Sequence, residues 1–280
     1  EFRMEESQAD ASGTDRQETN SSVLAEIRTK PSFNPNDLYY DMSGKKYLYI
    51  FNHYKFENTR YFNNKQPTRR DGTNKDVIRL TQVFEKLGFE VETFHDRTHR
   101  QILDAVTTIS SRDHKETSCL FIAFLSHGDQ LGNIYAADRP YQFKDVLTFL
   151  EHGHPTLVAK PKVVFIQACR GHQVDDGNRI EMDSSGRASY LVPTHADFLI
   201  LYSTVQDYKS YRDKYGSFLI QDLCDIIEKY HEFYDLLHLL TLVQNRVAFY
   251  RVTYDPIKMN HHNKKQMPET KFTLTKLIRL

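Results

Sequence analysis

The feature that most constrains the fold of this chain is an alternation of apolar runs and amphipathic segments. Four runs have the composition of strands, and they cover residues 45–52 (KKYLYIFN), 89–94 (FEVETF), 118–128 (SCLFIAFLSHG) and 162–171 (KVVFIQACRG). Between them, segments 73–88, 99–111 and 142–151 carry apolar residues at helical spacing. Apolar strands that alternate with helices predict a parallel sheet covered by helices on both faces.

The same pattern resumes after a polar break at residues 172–195. A strand is predicted at 196–204, helices at 216–230 and 233–250, and a terminal strand within 271–280, where Phe272, Leu274 and Leu277 can form a sheet edge. Thr73 is predicted to cap the first helix and Gly88 to end it. One mostly parallel sheet of about six strands accounts for both halves, so we predict an α/β fold.

Composition limits the classes of protein to which the chain can belong. Its 280 residues are 39% hydrophobic, enough for one large core, and 37 basic residues balance 37 acidic ones. This balance does not favour nucleic acid or a membrane surface as a partner. Three cysteines are too few for a disulfide framework, which favours a reducing, intracellular compartment. Residues 1–37 are polar, and we expect them to be disordered.

Two residues with nucleophilic and acid-base chemistry follow the ends of two predicted strands. Cys169 lies in QACRG (167–171) and His127 in SHGD (126–129). Because active sites of parallel sheets lie beyond the carboxyl ends of the strands, the two side chains can form a catalytic dyad. The backbone N–H groups of Gly128 and Cys169 can then stabilise an oxyanion. Cys119 and Cys224 lie within apolar segments and are interpreted as core residues.

The motifs SHGD, QACRG and SYRD (210–213) occur in the same order in the caspases, and the chain resembles that family from about residue 37 to its end. The resemblance implies a caspase-like three-layer fold and a cysteine peptidase that cleaves after aspartate. It implies that Cys169 is the nucleophile, His127 the acid-base residue and Gly128 an oxyanion donor. The third catalytic element of the family, a backbone carbonyl, corresponds to Thr68.

The resemblance also implies a polar pocket for the P1 aspartate, formed by Arg70, Gln167 and Arg212. Planar guanidinium groups match the geometry of a carboxylate, which supports this role. Arg69 and Arg70 are adjacent in TRRDGT, so either can enter the pocket, and the spacing to DGT favours Arg70.

Other positions correspond to the remaining subsites. Ser210 resembles the residue that pairs with the substrate backbone, and Tyr211 resembles the aromatic wall of S2. The chain has no tryptophan, so Tyr211 and Phe218 occupy positions where family members often carry an indole. Asp213 replaces the asparagine of members that prefer aspartate at P4, and like-charge repulsion is expected to disfavour that residue there.

Two alternative functions share parts of this pattern. An inactive caspase-like interaction protein is expected to have lost the dyad, whereas both Cys169 and His127 are present. A metacaspase-like peptidase would cut after arginine or lysine and would need acidic residues in its P1 pocket. The histidine pairs His152/His154 and His261/His262 have no cysteine or carboxylate cluster at zinc spacing, so neither a metal site nor another cofactor is expected.

The resemblance implies a processed zymogen. Residues 1–37 resemble the short prodomain of effector caspases, 38–183 the large subunit and 184–280 the small subunit. Within loop 172–195, IEMD followed by Ser184 resembles a caspase cleavage site at Asp183, and Asp175 and Asp176 are rival sites. The expected partners are protein substrates with aspartate at P1, an upstream activating caspase, inhibitor-of-apoptosis proteins and a second large and small subunit pair. The expected location is the cytoplasm, and the expected role is in apoptosis.

Overall fold

The computed structural model describes residues 36–129, 131–170, 196–205, 210–213, 215–254 and 262–280, with only the backbone of Asp213. The first half of the chain contains strands β1 (Lys45–Asn52), β2 (Phe89–His95), β3 (Thr117–Leu125), β4 (Asn133–Tyr135), β5 (Pro140–Gln142) and β6 (Lys162–Gln167). Its α-helices are α1 (Thr73–Lys86), α2 (His99–Ser111) and α3 (Phe143–Glu151). Arg60–Phe62 and Pro155–Leu157 are short 3-10 helices. The second half contains β7 (Phe198–Tyr202), β8 (Arg212–Asp213), β9 (Gly216–Ser217), α4 (Phe218–Tyr230), α5 (Leu236–Tyr250) and β10 (Glu269–Phe272).

Six of these strands form one sheet in the order β10-β7-β6-β3-β1-β2. All neighbours are parallel except β10, which runs antiparallel to β7 at the edge. The predicted α/β class and the mostly parallel six-stranded sheet are confirmed.

Alternate residues of β1, β3, β6 and β7 supply two separate cores, one on each face of the sheet. In β3, Phe121 and Ala123 pack in the core under α1, α4 and α5, whereas Ile122 and Phe124 pack in the core under α2 and α3. All nine residues of β3 are buried, as expected for a strand covered on both faces. The helices therefore occupy both outer layers of a three-layer molecule.

The predicted terminal strand was placed too late in the chain. Strand β10 ends at Phe272, and Leu277 instead forms an isolated parallel bridge with Tyr39. Leu274 packs against the core under α1, α4 and α5. Apolar residues in this segment thus reflect packing of the chain end against the core rather than continuation of the strand.

The predicted cap of α1 was also wrong. Gly72 occupies the cap position with φ +87°, and the Thr73 side chain makes no capping hydrogen bond. Its hydroxyl instead donates to Oδ1 of Asn52 at 2.6 Å and accepts from Arg70 at 2.8 Å. A buried tertiary network has replaced the local cap that the sequence favours.

Candidate active site

The two adjacent strands β3 and β6 end at the same edge of the sheet, and the two motifs follow them directly. Leu125 pairs with Gln167 at the last position of their register, and the N–H of Ser126 donates to the Gln167 carbonyl at 3.1 Å. His127 and Cys169 therefore follow neighbouring strand ends, where ligands bind in open parallel sheets.

Gly128 brings the two strand ends into close backbone contact. A Cβ atom at this position would lie 2.1 Å from the carbonyl oxygen of Cys169 and 2.9 Å from that of Asn133. Since both neighbours are backbone atoms, a side chain here would force one of the loops to move. The absence of a side chain thus allows the backbone of residue 128 to lie beside the Cys169 backbone, where an oxyanion donor is needed.

Cys169 is half-buried and lies against the backbone of Ser210. Its Sγ accepts from the Ser210 N–H at 3.4 Å and donates to the Ser210 carbonyl at 3.6 Å. No hydrogen bond joins Cys169 to His127, both of which are described. The thiol is therefore accessible but is held by the segment that precedes β8.

His127 is oriented by the backbone of Thr68. Its Nε2 lies 2.8 Å from the Thr68 carbonyl oxygen, and because a carbonyl only accepts, Nε2 carries the proton and Nδ1 is the free acceptor. Burial, which is the largest cause, and the charges of Arg70 and Arg212 together lower the pKa of His127 to about 4, against the opposing effect of the Thr68 carbonyl. The imidazole is therefore neutral at physiological pH.

Two aromatic rings that the motifs did not indicate fix the plane of this imidazole. Phe56 stacks on His127 with ring centroids 5.0 Å apart, and Tyr135 meets it edge-on at 6.2 Å. Phe56 lies in the loop after β1, far from His127 in sequence, whereas Tyr135 ends β4 and its N–H donates to the His127 carbonyl at 2.9 Å. A sequence pattern could not have identified them, since their contact depends on the tertiary fold.

Of the two adjacent arginines, Arg70 is buried, with 1% of its surface exposed, and Arg69 is exposed. Nη1 of Arg70 donates to the His53 carbonyl at 2.9 Å and to the Thr73 hydroxyl at 2.8 Å, whereas Nε and Nη2 have no partner. Burial and the nearby charge of Arg212 lower the pKa of Arg70 well below its ordinary value. An arginine pKa starts so high that the group stays charged. Two buried donor nitrogens, Nε and Nη2, are therefore available to an anion.

Arg212 lies in the hairpin formed by β8 and β9 and is half-buried. Its Nη1 donates to the Asp71 carbonyl over a long distance of 3.5 Å. Burial lowers the pKa of Arg212, whereas the charges of Asp76 and Cys169 raise it. Cys169 affects the pKa of both Arg70 and Arg212, so both guanidinium groups lie within electrostatic range of the candidate nucleophile.

Gln167 and Ser210 connect the end of β6 to the segment before β8. Nε2 of Gln167 donates to Oγ of Ser210 at 2.6 Å, while its Oε1 is buried without a partner. Ser210 in turn contacts Cys169 through its backbone. These contacts bring Gln167 and Ser210, both predicted to bind the substrate, to the same strand ends as Cys169.

Tyr211 directly follows Ser210 and is joined to Phe218 by a backbone hydrogen bond. The Tyr211 N–H donates to Oε1 of Gln266 at 2.7 Å, and its carbonyl accepts from the Phe218 N–H at 3.1 Å. Phe218 is 5% exposed at the start of α4, with the guanidinium of Arg251 5.3 Å from its ring centre. Asp213 pairs through its backbone with Gly216, and its predicted effect on P4 concerns a side chain outside the description.

Several other sequence predictions also fall outside the described residues. Segment 1–35, the whole of segment 172–195 with Asp183, and His261 belong to this group. In the described ranges, no group of three histidine, cysteine, aspartate or glutamate side chains is arranged to hold a metal ion. Within the same ranges, every helix is too short or too polar to cross a membrane.

Comparison with known proteins identifies the family. The sequence profile described as "Caspase domain" matches residues 45–279. The chain is 38% identical over 239 residues to "Caspase drICE" of Drosophila melanogaster, covering 82% of this chain and 68% of the relative. It is 39% identical over 223 residues to "Caspase-3" of Xenopus laevis, covering 78% and 76%.

Among solved structures, caspase-1 from Spodoptera frugiperda superposes with a TM-score of 0.79 at 34% identity, covering 90% of this chain and 96% of that one. The three-layer fold with its mostly parallel six-stranded sheet thus agrees with this structural neighbour. The chain therefore belongs to the caspase family of cysteine peptidases, hydrolases that act on protein substrates as dimeric assemblies.

Proposed function

We propose that this protein is an effector-type caspase, made as a zymogen, that cleaves proteins after aspartate in apoptosis. The observation that carries the specificity is the buried Arg70, whose Nε and Nη2 donors have no partner, with Arg212 near enough for its charge to lower the pKa of Arg70. A desolvated carboxylate needs such charge-assisted partners, and each hydrogen bond of this kind contributes about 1.5–3 kcal/mol.

The catalytic sequence follows from the positions of Cys169, His127 and Gly128. Nδ1 of the neutral His127 takes the thiol proton, and the Cys169 sulfur attacks the carbonyl carbon of the peptide bond after the P1 aspartate. The backbone N–H groups of Gly128 and Cys169 stabilise the resulting oxyanion. His127 then returns the proton to the leaving amine, and water hydrolyses the acyl-enzyme.

Thr68, Gln167, Ser210 and Tyr211 support this chemistry in different ways. The Thr68 carbonyl selects the His127 tautomer by accepting from Nε2 at 2.8 Å. Gln167 supplies a polar side chain to the P1 pocket, and Ser210 and Tyr211 form the strand segment on which the substrate backbone is proposed to pair. Phe218, which is buried behind Tyr211, is proposed to support the S2 wall rather than to contact the substrate directly.

The biological assignment rests on the family resemblance. Residues 1–37 resemble a short effector prodomain, and we propose a cytoplasmic enzyme whose activation involves an upstream caspase and whose inhibitors include inhibitor-of-apoptosis proteins. Residues 38–183 and 184–280 are proposed to become the large and small subunits, with cleavage after Asp183.

A panel of fluorogenic peptides that differ only at P1 tests the specificity. We expect hydrolysis after aspartate and at least about 100-fold lower kcat/KM after asparagine or arginine, because a neutral or cationic side chain leaves the buried guanidinium donors unpaired. Preference for arginine would support a metacaspase-like peptidase. Failure of correctly processed, folded protein to cleave any peptide would support an inactive interaction protein.

Replacing Arg212 with lysine tests the pocket itself. Lysine keeps the charge but lacks the planar fork, so we expect kcat/KM for aspartate peptides to fall by at least about 100-fold. Arg69→Lys is the matched control, because Arg69 is exposed and we expect near wild-type kinetics. Wild-type kinetics for Arg212→Lys would contradict the proposed pocket.

A further inference from the structure

Asp76 is a buried carboxylate that the motifs of this chain leave unexplained. It lies in the first turn of α1, six residues after Arg70, and has 1% of its surface exposed. Burial raises the pKa of Asp76, while the Ser217 N–H and the charges of Arg70 and Arg212 oppose that shift. A carboxylate in such a place is costly unless its contacts serve the structure around it.

The carboxylate of Asp76 joins α1 to the hairpin that carries Arg212. Its Oδ1 accepts from the backbone N–H of Ser217 at 2.8 Å. Ser217 is the residue directly opposite Arg212 in the pairing of β8 with β9. One hydrogen bond therefore connects the helix that begins beside Arg70 to the strand position facing Arg212.

Gly216 allows this contact to be unusually close. A Cβ atom at Gly216 would lie 2.3 Å from Oδ1 of Asp76, and the glycine has φ +130°, a conformation that other residues rarely adopt. The hairpin backbone thus lies directly against the carboxylate. The second oxygen, Oδ2, is buried without a partner, so the described contact of this side chain is with the hairpin.

We propose that Asp76 is a positioning residue for the P1 pocket. By accepting the Ser217 N–H, it fixes the hairpin against α1 and so sets the place of the Arg212 guanidinium relative to Arg70. The inference rests on the proposed aspartate specificity, since it concerns how the two guanidinium groups reach one carboxylate. It assigns no contact between Asp76 and the substrate.

The test compares Asp76→Ala with Asp76→Asn in the processed enzyme. Alanine removes the acceptor, so we expect KM for an aspartate peptide to rise by about 10-fold or more, with kcat within about threefold of wild type. Asparagine keeps an acceptor oxygen and nearly the same volume, so it should restore KM to within about threefold. If Asp76→Asn is as impaired as Asp76→Ala, or if Asp76→Ala keeps the wild-type KM, the proposal is wrong.

The alkylation of Cys169 by iodoacetamide separates this effect from general damage to the site. The reagent carries no P1 carboxylate, so its rate should be unchanged in Asp76→Ala if only the pocket has moved. A rate that falls together with the thermal stability would overturn the positioning role. A wild-type enzyme that does not prefer aspartate would instead contradict the proposed function.

Substitution from the hairpin side gives a second, independent test. Gly216→Ala places a methyl group against Oδ1 of Asp76, and we expect the same rise in KM. Gly132→Ala is the matched control, because Gly132 also has positive φ, at +76°, but nothing lies within 4 Å of its added Cβ. Equal KM changes in the two variants would show that backbone strain alone is responsible and would overturn the proposal.

Discussion

The three cysteines of this protein have the same side chain and very different chemistry. Cys119 and Cys224 are completely buried, and burial raises the pKa of both thiols, so they remain protonated and inert. Cys169 is half-buried at a strand end, with its sulfur against the Ser210 backbone. The surroundings therefore select one nucleophile out of three.

Replacing Cys169 with alanine should abolish hydrolysis while the fold is retained. We expect turnover below about a thousandth of wild type, because the residue that forms the acyl-enzyme is lost. Cys224→Ala is the control, with kinetics near wild type and a lower melting temperature from the cavity left in the core. A Cys169→Ala enzyme with higher residual turnover would exclude Cys169 as the nucleophile.

The protonation of His127 predicts the acid side of the pH profile. Because burial lowers the pKa of His127 from 6.5 to about 4, the neutral base is present above pH 4 and is lost as pH falls through that value. We therefore expect that protonation of His127 does not lower kcat/KM at pH 5.5. The folded fraction is measured at each pH as a control. An acid limb centred near pH 6.5 in folded enzyme would contradict the buried neutral imidazole.

Binding of a P1 carboxylate should shift this acid limb of the pH profile to higher pH. The charges of Arg70 and Arg212 help to lower the pKa of His127 in the free enzyme. A carboxylate paired with them offsets these charges, so the limb of kcat should lie at higher pH than that of kcat/KM. Coincident limbs would show that the carboxylate does not bind near both arginines.

At the scale of elements, the sequence predicts what depends on local pattern. Apolar runs such as 118–128 and helical spacing such as that of 99–111 place β3 and α2 correctly, because burial on one or two faces imposes those periods. The hairpins β4–β5 and β8–β9 have strands of two or three residues, too short for a pattern. Their pairing depends on distant contacts, such as that of Ser217 with Asp76.

The candidate site shows the same division. The motifs predict Cys169, His127 and Gly128 because they follow strand ends directly. The spacing to DGT favours Arg70 over Arg69, but only the tertiary fold shows that Arg70 is the buried one of the two. The motifs also give no sign of Phe56 or Asp76, whose roles depend on contacts with residues far along the chain.

The close contact between two strand ends makes Gly128 a test of the site at this scale. Gly128→Ala would push a methyl group against the Cys169 and Asn133 carbonyls, displacing the oxyanion donors, and we expect kcat to fall by about 100-fold. Gly153→Ala is similarly crowded, with its Cβ 2.8 Å from the Ser110 carbonyl, but lies away from the site. The control should lose stability and keep kcat, and equal losses of kcat would contradict the specific role of Gly128.

At the scale of the whole molecule, the polar sequence 172–195 connects two halves of the chain that share one sheet. Strands β6 and β7 lie on either side of this segment and are paired in parallel from Lys162↔Phe198 to Ile166↔Tyr202. Helices α1 and α4 belong to different halves and pack in the same core. They also form ion pairs with each other, including that of Arg79 with Glu228 at 3.0 Å. Cutting the chain within 172–195 therefore leaves these strand and helix contacts between the halves in place.

This arrangement makes cleavage of the loop compatible with a stable enzyme, and the sequence IEMD before Ser184 makes Asp183 the expected site. We expect intact-mass analysis of protein expressed alone to give fragments that end and begin at this bond. The two fragments should elute together in native size-exclusion chromatography, because the β6–β7 pairing and the shared core persist, and two such pairs should form a dimer.

Asp183→Ala should remain uncut at this bond, and Asp176→Ala, a change in the same loop, should mature as wild type. Cys169→Ala should stay intact when no other protease is present. Maturation of Asp183→Ala at the same position and rate, or cutting of purified Cys169→Ala, would contradict self-processing at Asp183.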